Sequence, residues 1–252
     1  MPNPLELAAR LPEGFALGAA TAALQIEGAA DRRGRCGWDE FADAPGRIAD
    51  GSTPAVTCDH VHRLDEDLDL LKGAGLDSYR FSISWPRVQP TGSGPVDAAG
   101  LDFYDRLVDG LLARGISPMA TLYHWDTPLP VEQAGGWTNR DTAKRLGEFA
   151  AIMGERLGDR VPEWVTVNEA ATVVMNGYGL GVHAPGEERL FKAGAVARNM
   201  LLGHGYAVQG LRSAGVSGRI GITNTHTPCT PAEDTRKDKA MAGLLDFIHN
   251  RL

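Results

Sequence analysis

The residues best suited to chemistry in this chain are an adjacent amide and carboxylate, Asn168 and Glu169, at the end of the apolar run Trp164–Asn168. Another apolar run is followed by an imidazole and an indole, His124 and Trp125. A carboxyl group can transfer a proton, amides and imidazoles bind hydroxyl groups, and indole rings pack on the C–H faces of sugars. These residue types together predict a site for a hydroxyl-rich molecule such as a sugar.

Two further polar residues take comparable positions. Gln25 follows the first apolar run of the chain, and Arg80 lies within the second. If these runs are neighbouring parallel strands, their carboxyl ends meet at one edge of the sheet, where barrel enzymes assemble their active sites. The sequence therefore predicts that Gln25 and Arg80 join His124, Asn168 and Glu169 in a single site.

Glu169 admits two interpretations on spacing alone. It can be the general acid that protonates the leaving oxygen of a glycoside, or a carboxylate that stabilises the N-terminus of the following helix. Glycoside cleavage usually needs a second carboxylate facing the first. No good candidate for that second group occurs before Leu252. We therefore expect the catalytic pair to be incomplete in this chain.

Short apolar runs alternate with helical patterns along the whole chain. The runs predict strands buried on both faces, at Phe15–Thr21, Ser78–Trp85, Ser117–Tyr123, Trp164–Asn168 and Arg219–Thr223. Leucines and other apolar residues at helical spacing lie between these runs, with acidic side chains on the opposite face of the first helix. Further helices are predicted over Ala195–Leu211 and Ala240–Asn250.

Strand–helix alternation predicts an α/β fold with a parallel sheet, and both an open doubly wound sheet and a closed barrel fit the pattern. A dinucleotide-binding sheet would need a glycine-rich turn after its first strand, and the segment 22–28 reads AALQIEG instead. Long loops follow the first, third and fourth strands, as on the active-site face of a barrel. The fold prediction is a TIM (β/α)8-type barrel of which about the first five βα units are present.

Composition narrows the class of protein and of partner. The net charge of -7 argues against a nucleic-acid partner, and no apolar stretch is long enough to predict a membrane span. The three cysteines are widely spaced and form no C-x-x-C pair, which predicts a cytoplasmic protein. With neither repeat nor linker, residues 1–252 are predicted to form one domain, truncated after its fifth strand.

Several long motifs, in a fixed order, resemble the N-terminal part of family 1 glycoside hydrolases, the β-glucosidase family. The matching segments are 15–21 (FALGAAT), 25–28 (QIEG), 79–87 (YRFSISWPR), 122–128 (LYHWDTP), 136–137 (GW), 167–169 (VNE) and 183–186 (HAPG). The resemblance runs from about Pro12 to the last residue. It implies a (β/α)8 barrel and a retaining β-glycosidase that needs neither metal nor organic cofactor.

The resemblance also implies roles for individual residues. Glu169 matches the family's acid/base, and Asn168 the residue that binds the sugar 2-hydroxyl. Gln25 and His124 match hydroxyl-binding positions of the glycone subsite, with Trp125 beside them. Arg80 matches the arginine that supports the nucleophile electrostatically. For Glu27, Trp85 and Trp137, structural packing is the preferred interpretation, and metal binding by His60 and His62 is disfavoured.

Three departures from the family pattern stand out. Ala170 replaces the proline that usually follows the Asn-Glu pair, which could loosen the turn that aims Glu169. Thr225 stands where strand five often carries an asparagine, and Asn224 is one place off. The nucleophile's Thr-Glu-Asn-Gly motif is absent, and the segment 247–252 resembles a family helix cut within its motif.

The leading interpretation is a β-glucosidase-like retaining glycosidase that acts on small β-glycosides, with the nucleophile missing from this chain. The alternative is an inactive half-barrel that binds sugar weakly or awaits a complementary fragment, because an unclosed sheet leaves edges that favour self-association. A Schiff-base aldolase is disfavoured, since every lysine falls outside the strand ends. The sequence leaves the sugar preference open, including preference for 6-phospho-sugars.

Overall fold

The computed structural model describes residues 3, 6 and 10–250, and within them five parallel strands form one sheet in the order of the chain. The strands are β1 Gly18–Ala20, β2 Ser78–Ser82, β3 Ser117–Tyr123, β4 Glu163–Asn168 and β5 Arg219–Thr223. Each strand pairs with the next in parallel register, beginning with Gly18 against Ser78. Strands that are neighbours in both sequence and space, each followed by a helix, are the arrangement of a TIM-type barrel.

Long helices connect the strands and cover the sheet. They are α1 Leu64–Gly73, α2 Ala98–Ala113, α3 Asp141–Leu157, α4 Ala193–Ser213 and α5 Arg236–Asn250. Asp97 caps α2 by accepting a hydrogen bond from the backbone N–H of Gly100. The predicted α/β fold with about five βα units is therefore confirmed.

The third and fifth strands follow the sequence prediction more closely than the first one does. β3 and β5 have the predicted bounds, whereas β1 is shorter than the apolar run Phe15–Thr21. Phe15 and Leu17 are half exposed, because β1 pairs with β2 alone and little covers its other side. The expectation that every strand is buried on both faces is therefore wrong for β1 and β5.

The second strand ends earlier than its apolar run predicts. After Ser82 the chain turns into a short helix, Trp85–Val88, in which Pro86 occupies the first turn. The helices begin earlier than predicted, α4 at Ala193 and α5 at Arg236. Arg251 and Leu252, at the end of the family-like segment 247–252, lie outside the described residues.

Small residues allow α3 and α4 to pack closely on the outer side of β4. A Cβ atom added to Gly210 would lie 2.3 Å from the carbonyl oxygen of Gly147. A Cβ atom on Gly147 would in turn lie 2.7 Å from the Cβ atom of Tyr206. Backbones at this separation leave no room for larger side chains, so these glycines determine how α4 sits against the sheet.

The residues expected to pack rather than react do lie in the core. Trp85 and Trp137 are fully buried, and Glu27 is buried beside Arg87. The guanidinium Nε of Arg87 donates to a Glu27 carboxylate oxygen at 2.8 Å, and the hydroxyl of Tyr104 donates to the other oxygen at 2.6 Å. The pairing satisfies the buried charge and ties the loop after β1 to α2.

Candidate functional site

Three predicted site residues meet in the structure: Arg80 within β2, His124 directly after β3 and Asn168 at the carboxyl end of β4. Nη1 of Arg80 donates to Oδ1 of Asn168 at 2.9 Å, although the two residues lie 88 positions apart in the chain. Nδ2 of Asn168 lies 3.2 Å from Nε2 of His124. The parallel register brings these strand ends together, as the positions in the sequence predict.

The hydrogen bonds of Asn168 determine the state of His124. Oδ1 of Asn168 accepts from Arg80 and also from the hydroxyl of Thr223 at 2.9 Å, so the amide nitrogen faces His124. An amide N–H can only donate, so Nε2 of His124 accepts and the ring proton sits on Nδ1. Burial and the nearby charge of Arg80 lower the pKa of His124 to about 4, so the ring is neutral at neutral pH.

The free Nδ1 of His124 is the clearest unused hydrogen-bonding group of this cluster. It is buried and has no hydrogen-bond partner among the residues that the structure describes. With the proton assigned to it, Nδ1–H is a donor available to a hydroxyl group. A buried donor left unpaired costs free energy, which a bound ligand would recover.

A β-bulge in β4 aims Asn168. The pairing of β4 with β5 runs Val165 to Gly221 and resumes at Asn168 to Thr223, so β4 advances three residues while β5 advances two. One extra residue changes the face on which the following side chains lie. The bulge therefore directs Asn168 towards β2 and β3, where Arg80 lies.

Glu169 directly follows the bulge in a left-handed backbone conformation. Its φ is 50° and its ψ 61°, and its N–H donates to the carbonyl oxygen of Thr223 at 2.8 Å. Its Oε2 accepts from the hydroxyl of Thr172 at 3.0 Å, one helical turn further on. The side chain is half-buried and makes no capping hydrogen bond to the backbone of the short helix Ala170–Thr172, which directly follows it.

Trp125 has the same unusual backbone geometry at the end of β3. Its φ is 75°, and its indole N–H donates to the carbonyl oxygen of Asn168 at 2.9 Å. Its ring lies 5.3 Å from that of His124, centroid to centroid. Positive φ is unfavourable for a residue with a Cβ atom and persists where surrounding contacts hold it, as at binding and catalytic sites.

Not every predicted residue joins the cluster. Gln25 lies in the short helix Ala23–Ile26 at the carboxyl end of β1 and is exposed. No hydrogen bond between its side chain and Arg80, His124 or Asn168 occurs in the described part of the chain. Gln25 therefore lies at the predicted edge of the sheet, but no hydrogen bond between described residues joins it to the cluster.

Sequence reasoning missed several residues that shape the site. Thr223 and Thr172 bond Asn168 and Glu169, and no local motif marks either threonine. Thr225 and Asn224, the two residues considered at the end of strand five, both lie exposed beyond the end of β5. Ala170 begins the short helix after Glu169, a position at which the family's proline would also fit.

Behind Trp125 lies a small aromatic cavity of about 10 Å³, lined by Trp38, Trp125, Glu132, Tyr178 and His183. It has room for about one water molecule and none for a sugar ring. The hydroxyl of Tyr178 donates to Glu132 at 3.1 Å, and burial raises the pKa of Glu132 to about 7. Tyr178 belongs to the π-helical turn Val173–Gly179, a rare structure often found near functional sites.

The side chains of the two histidines of the H-x-H sequence contact different carboxylates. Nδ1 of His60 contacts Asp67 at 2.6 Å, and Nδ1 of His62 contacts Asp59 at 2.6 Å. Among the described residues, no group of three potential metal ligands comes together. In the same part of the chain, no helix combines the length and apolar character needed to cross a membrane.

Known proteins are similar to this chain over most of its length. The family model described as glycosyl hydrolase family 1 matches residues 7–251. The chain belongs to this family. Beta-glucosidase A of Acetivibrio thermocellus is 46% identical over 235 residues, which are 92% of this chain and 52% of that protein. Thermostable beta-glucosidase B of Thermobispora bispora is 50% identical over 223 residues, which are 88% of this chain and 46% of that protein.

Solved structures of family 1 members share the fold. A family 1 β-glucosidase from Thermotoga maritima superposes with a TM-score of 0.90 at 41% identity, over 95% of this chain and 54% of that one. The virulence factor SghA, solved with its substrate analogue salicin, superposes with a TM-score of 0.92 at 42% identity, over 98% of this chain and 55% of that one. The chain thus spans about half the length of the family 1 relatives that it matches.

Proposed function

We propose that this chain carries the acid/base part of a retaining β-glycosidase of the β-glucosidase type. The observation that carries the proposal is the Asn168–Glu169 pair at the end of β4, aimed by the bulge and bonded to Arg80 and Thr223. Membership of glycosyl hydrolase family 1 and the names of the similar proteins support the same reaction class. The substrate class is small β-glycosides.

The residues around Glu169 would bind the glycone. Nδ1–H of His124 is a free donor for a sugar hydroxyl, and the Asn168 amide is held in one orientation by its two donors. The Trp125 ring beside His124 offers an apolar surface to sugar C–H groups, and Gln25 stands at the same edge of the sheet. Arg80 would supply the positive charge that stabilises an attacking carboxylate.

In the proposed reaction, Glu169 protonates the leaving oxygen while a second carboxylate attacks the anomeric carbon and forms a glycosyl ester. Glu169 then takes a proton from water, and the resulting nucleophile releases the sugar with retained configuration. The two carboxyl groups must lie about 5 Å apart for this chemistry. None of these steps requires a metal or an organic cofactor.

We propose that the second carboxylate is supplied by residues other than these 252. The chain contains no Thr-Glu-Asn-Gly sequence, and the similar β-glucosidases are roughly twice as long as the segment that matches. Residues 1–252 would then act as one domain that completes its site with a complementary segment. A reducing, cytoplasmic location fits the three free cysteines, of which Cys58 is exposed.

The exposed flanks of the sheet favour a second candidate, an assembly fragment without activity of its own. β1 and β5 each pair with a single strand, and half-exposed apolar residues line α5, among them Leu244, Leu245 and Phe247. Open edges and apolar surface favour association with a complementary segment or with a second copy. We expect size-exclusion chromatography to show self-association, and a stable monomer would contradict this candidate.

The two candidates separate in a hydrolysis experiment with a chromogenic aryl β-glucoside. The purified chain is assayed alone and after co-expression with the C-terminal half of the Thermotoga maritima family 1 β-glucosidase. We expect hydrolysis in the second arm, and its loss with Glu169→Ala. Glu163→Ala is the matched control, since Glu163 begins the same strand and pairs with Arg219 at the opposite end of the sheet.

The results of that experiment separate the two candidates and test the role of Glu169. Hydrolysis that Glu169→Ala abolishes and Glu163→Ala preserves supports the enzyme. A stable complex of the two halves without hydrolysis would contradict the enzyme and favour the assembly fragment. Hydrolysis that survives Glu169→Ala would assign the proton transfer to another residue.

A further inference from the structure

A hydrogen-bonded chain links an outer helix to the bulge that aims the candidate site. Oγ1 of Thr166, a fully buried residue of β4, lies 2.6 Å from Nδ1 of His204 on α4. The same hydroxyl donates to the carbonyl oxygen of Gly221 on β5 at 3.2 Å. Gly221 pairs with Val165, the last residue of β4 in regular register with β5 before the bulge.

The bulge places Thr166 and Asn168 on different faces of the sheet. Two residues two positions apart in a regular strand share a face. Here Thr166 contacts α4 on the helix side, whereas Asn168 contacts Arg80 and His124 at the carboxyl edge. The separation depends on the extra residue, so whatever holds the bulge also holds the direction of Asn168.

The chemistry of the three groups assigns the direction of each hydrogen bond. The carbonyl of Gly221 can only accept, and the hydroxyl of Thr166 has one proton to give. Both contacts of Thr166 form together only if Nδ1 of His204 carries a proton and donates it to Oγ1. Such a bond also fixes the tautomer and the orientation of the ring.

We propose that His204 is a positioning residue of the candidate site, which holds the β4 bulge through Thr166 and so aims Asn168 and Glu169. His204 lies on α4 and acts only through Thr166. The consequence for proton transfer by Glu169 rests on the proposed function, whereas the effect on the bulge does not. The tests below therefore read the bulge itself, without any hydrolysis.

The first test measures the tautomer of His204 by ¹⁵N NMR of the 252-residue chain. We expect a neutral ring with its proton on Nδ1, with the signal assigned through its loss in His204→Asn. A ring with its proton on Nε2 would overturn the proposal, because Thr166 would then give its proton to His204 and leave the Gly221 carbonyl without it.

The second test measures amide hydrogen exchange at Glu169, whose N–H bonds Thr223 just beyond the bulge. Thr166→Val keeps the shape of the side chain and removes the hydroxyl. We expect the exchange rate at Glu169 to rise about tenfold, since the net contribution of one hydrogen bond corresponds to about that factor. The matched control is Thr142→Val, which removes a buried hydroxyl bond to Gly136 at 2.6 Å, away from β4.

The histidine itself is tested by two replacements of different chemistry. His204→Asn places an amide N–H close to the position of Nδ1–H, and we expect it to keep exchange at Glu169 near the wild-type rate. His204→Leu removes the donor and should give the same rise as Thr166→Val. A rise in His204→Leu that extends equally over all amides of α4 would reveal a packing role instead, and an unchanged rate at Glu169 in both Thr166→Val and His204→Leu would overturn the proposal.

Discussion

The middle of the sheet and its two flanks differ sharply in burial. In β2, β3 and β4 most side chains are buried, and Arg80, His124 and Asn168 from these strands and their ends form one hydrogen-bonded cluster. In β1 and β5 no residue is fully buried. Each central strand has two neighbours and covering helices, whereas each flanking strand has one neighbour. The described residues therefore cover the centre of the sheet and leave its flanks partly exposed.

The site lies across the boundary between these regions. Arg80, His124 and Asn168 belong to central strands, but Thr223 at the end of β5 donates to Asn168 and accepts from the backbone of Glu169. The loop after β1 is likewise tied to the centre by the buried pair of Glu27 and Arg87. These two side-chain links add to the backbone pairing that joins β1 and β5 to the central strands.

The largest expected effect on stability comes from breaking the buried ion pair of Glu27 and Arg87, which ties the loop after β1 to the central strands. Glu27→Ala leaves the guanidinium of Arg87 buried without its carboxylate, which should lower the free energy of unfolding by about 3–5 kcal/mol. Urea denaturation measures this change. Lys144→Ala, which breaks an exposed pair with Asp141, is the control and should leave the midpoint in place. Equal losses in the two variants would contradict the assignment.

The difference in burial between the centre and the flanks of the sheet predicts that two leucines contribute unequally to stability. Leu122 in β3 is fully buried, whereas Leu244 on α5 is 51% exposed. Leu122→Ala should lower the free energy of unfolding by about 2–5 kcal/mol, because it leaves a cavity in the core. Leu244→Ala should change it by less than about 0.5 kcal/mol. Comparable losses in chemical denaturation would show that α5 is covered in solution.

A third prediction concerns pH and the buried Asp126, which follows Trp125 at the end of β3. Burial raises the pKa of Asp126 to about 7, above its value of about 4 in an unfolded chain. The folded chain therefore binds this proton more tightly. The stabilising contribution is full below about pH 4 and is lost as pH rises through about 7, by up to about 1.4 kcal/mol per pH unit.

Asp126→Asn should remove this contribution to the pH dependence. Urea denaturation at pH 5 and pH 8 compares the variant with the wild type, and the variant should lose less free energy of unfolding between the two. Glu132, whose pKa burial also raises to about 7, contributes in both proteins and cancels in the comparison. Parallel profiles for the two proteins would show that Asp126 titrates normally.

The smallest expected effect concerns the link between β5 and the cluster. Thr223→Val removes the hydroxyl that donates to Asn168 and should lower the free energy of unfolding by about 0.5–1.5 kcal/mol. Thr223→Ser keeps the hydroxyl and serves as the control. Thermal denaturation of the two variants measures the difference. Identical stabilities would show that β5 contributes only backbone pairing to the site.

Much of the site could be predicted because all strands of a parallel sheet run in the same direction. Residues that follow the strands in the sequence therefore lie at the same edge of the sheet. The ends of β3 and β4 meet because the strands run in the same direction, which places His124 and Asn168 together, and Arg80 reaches Asn168 from within β2. The same reasoning places Gln25 at this edge, directly after β1. Its distance from the cluster did not follow, because β1 is short and the turn after it is helical.

The sequence by itself determined the order of the strands and helices, the family, and the residues that stand at the strand ends. These follow from hydrophobic periodicity and local motifs, which depend on neighbours in the chain. Only the tertiary structure decided the bulge in β4, the partners Thr223 and His204, and the proton position on His124. These depend on contacts between residues dozens of positions apart, whose directions no local pattern specifies.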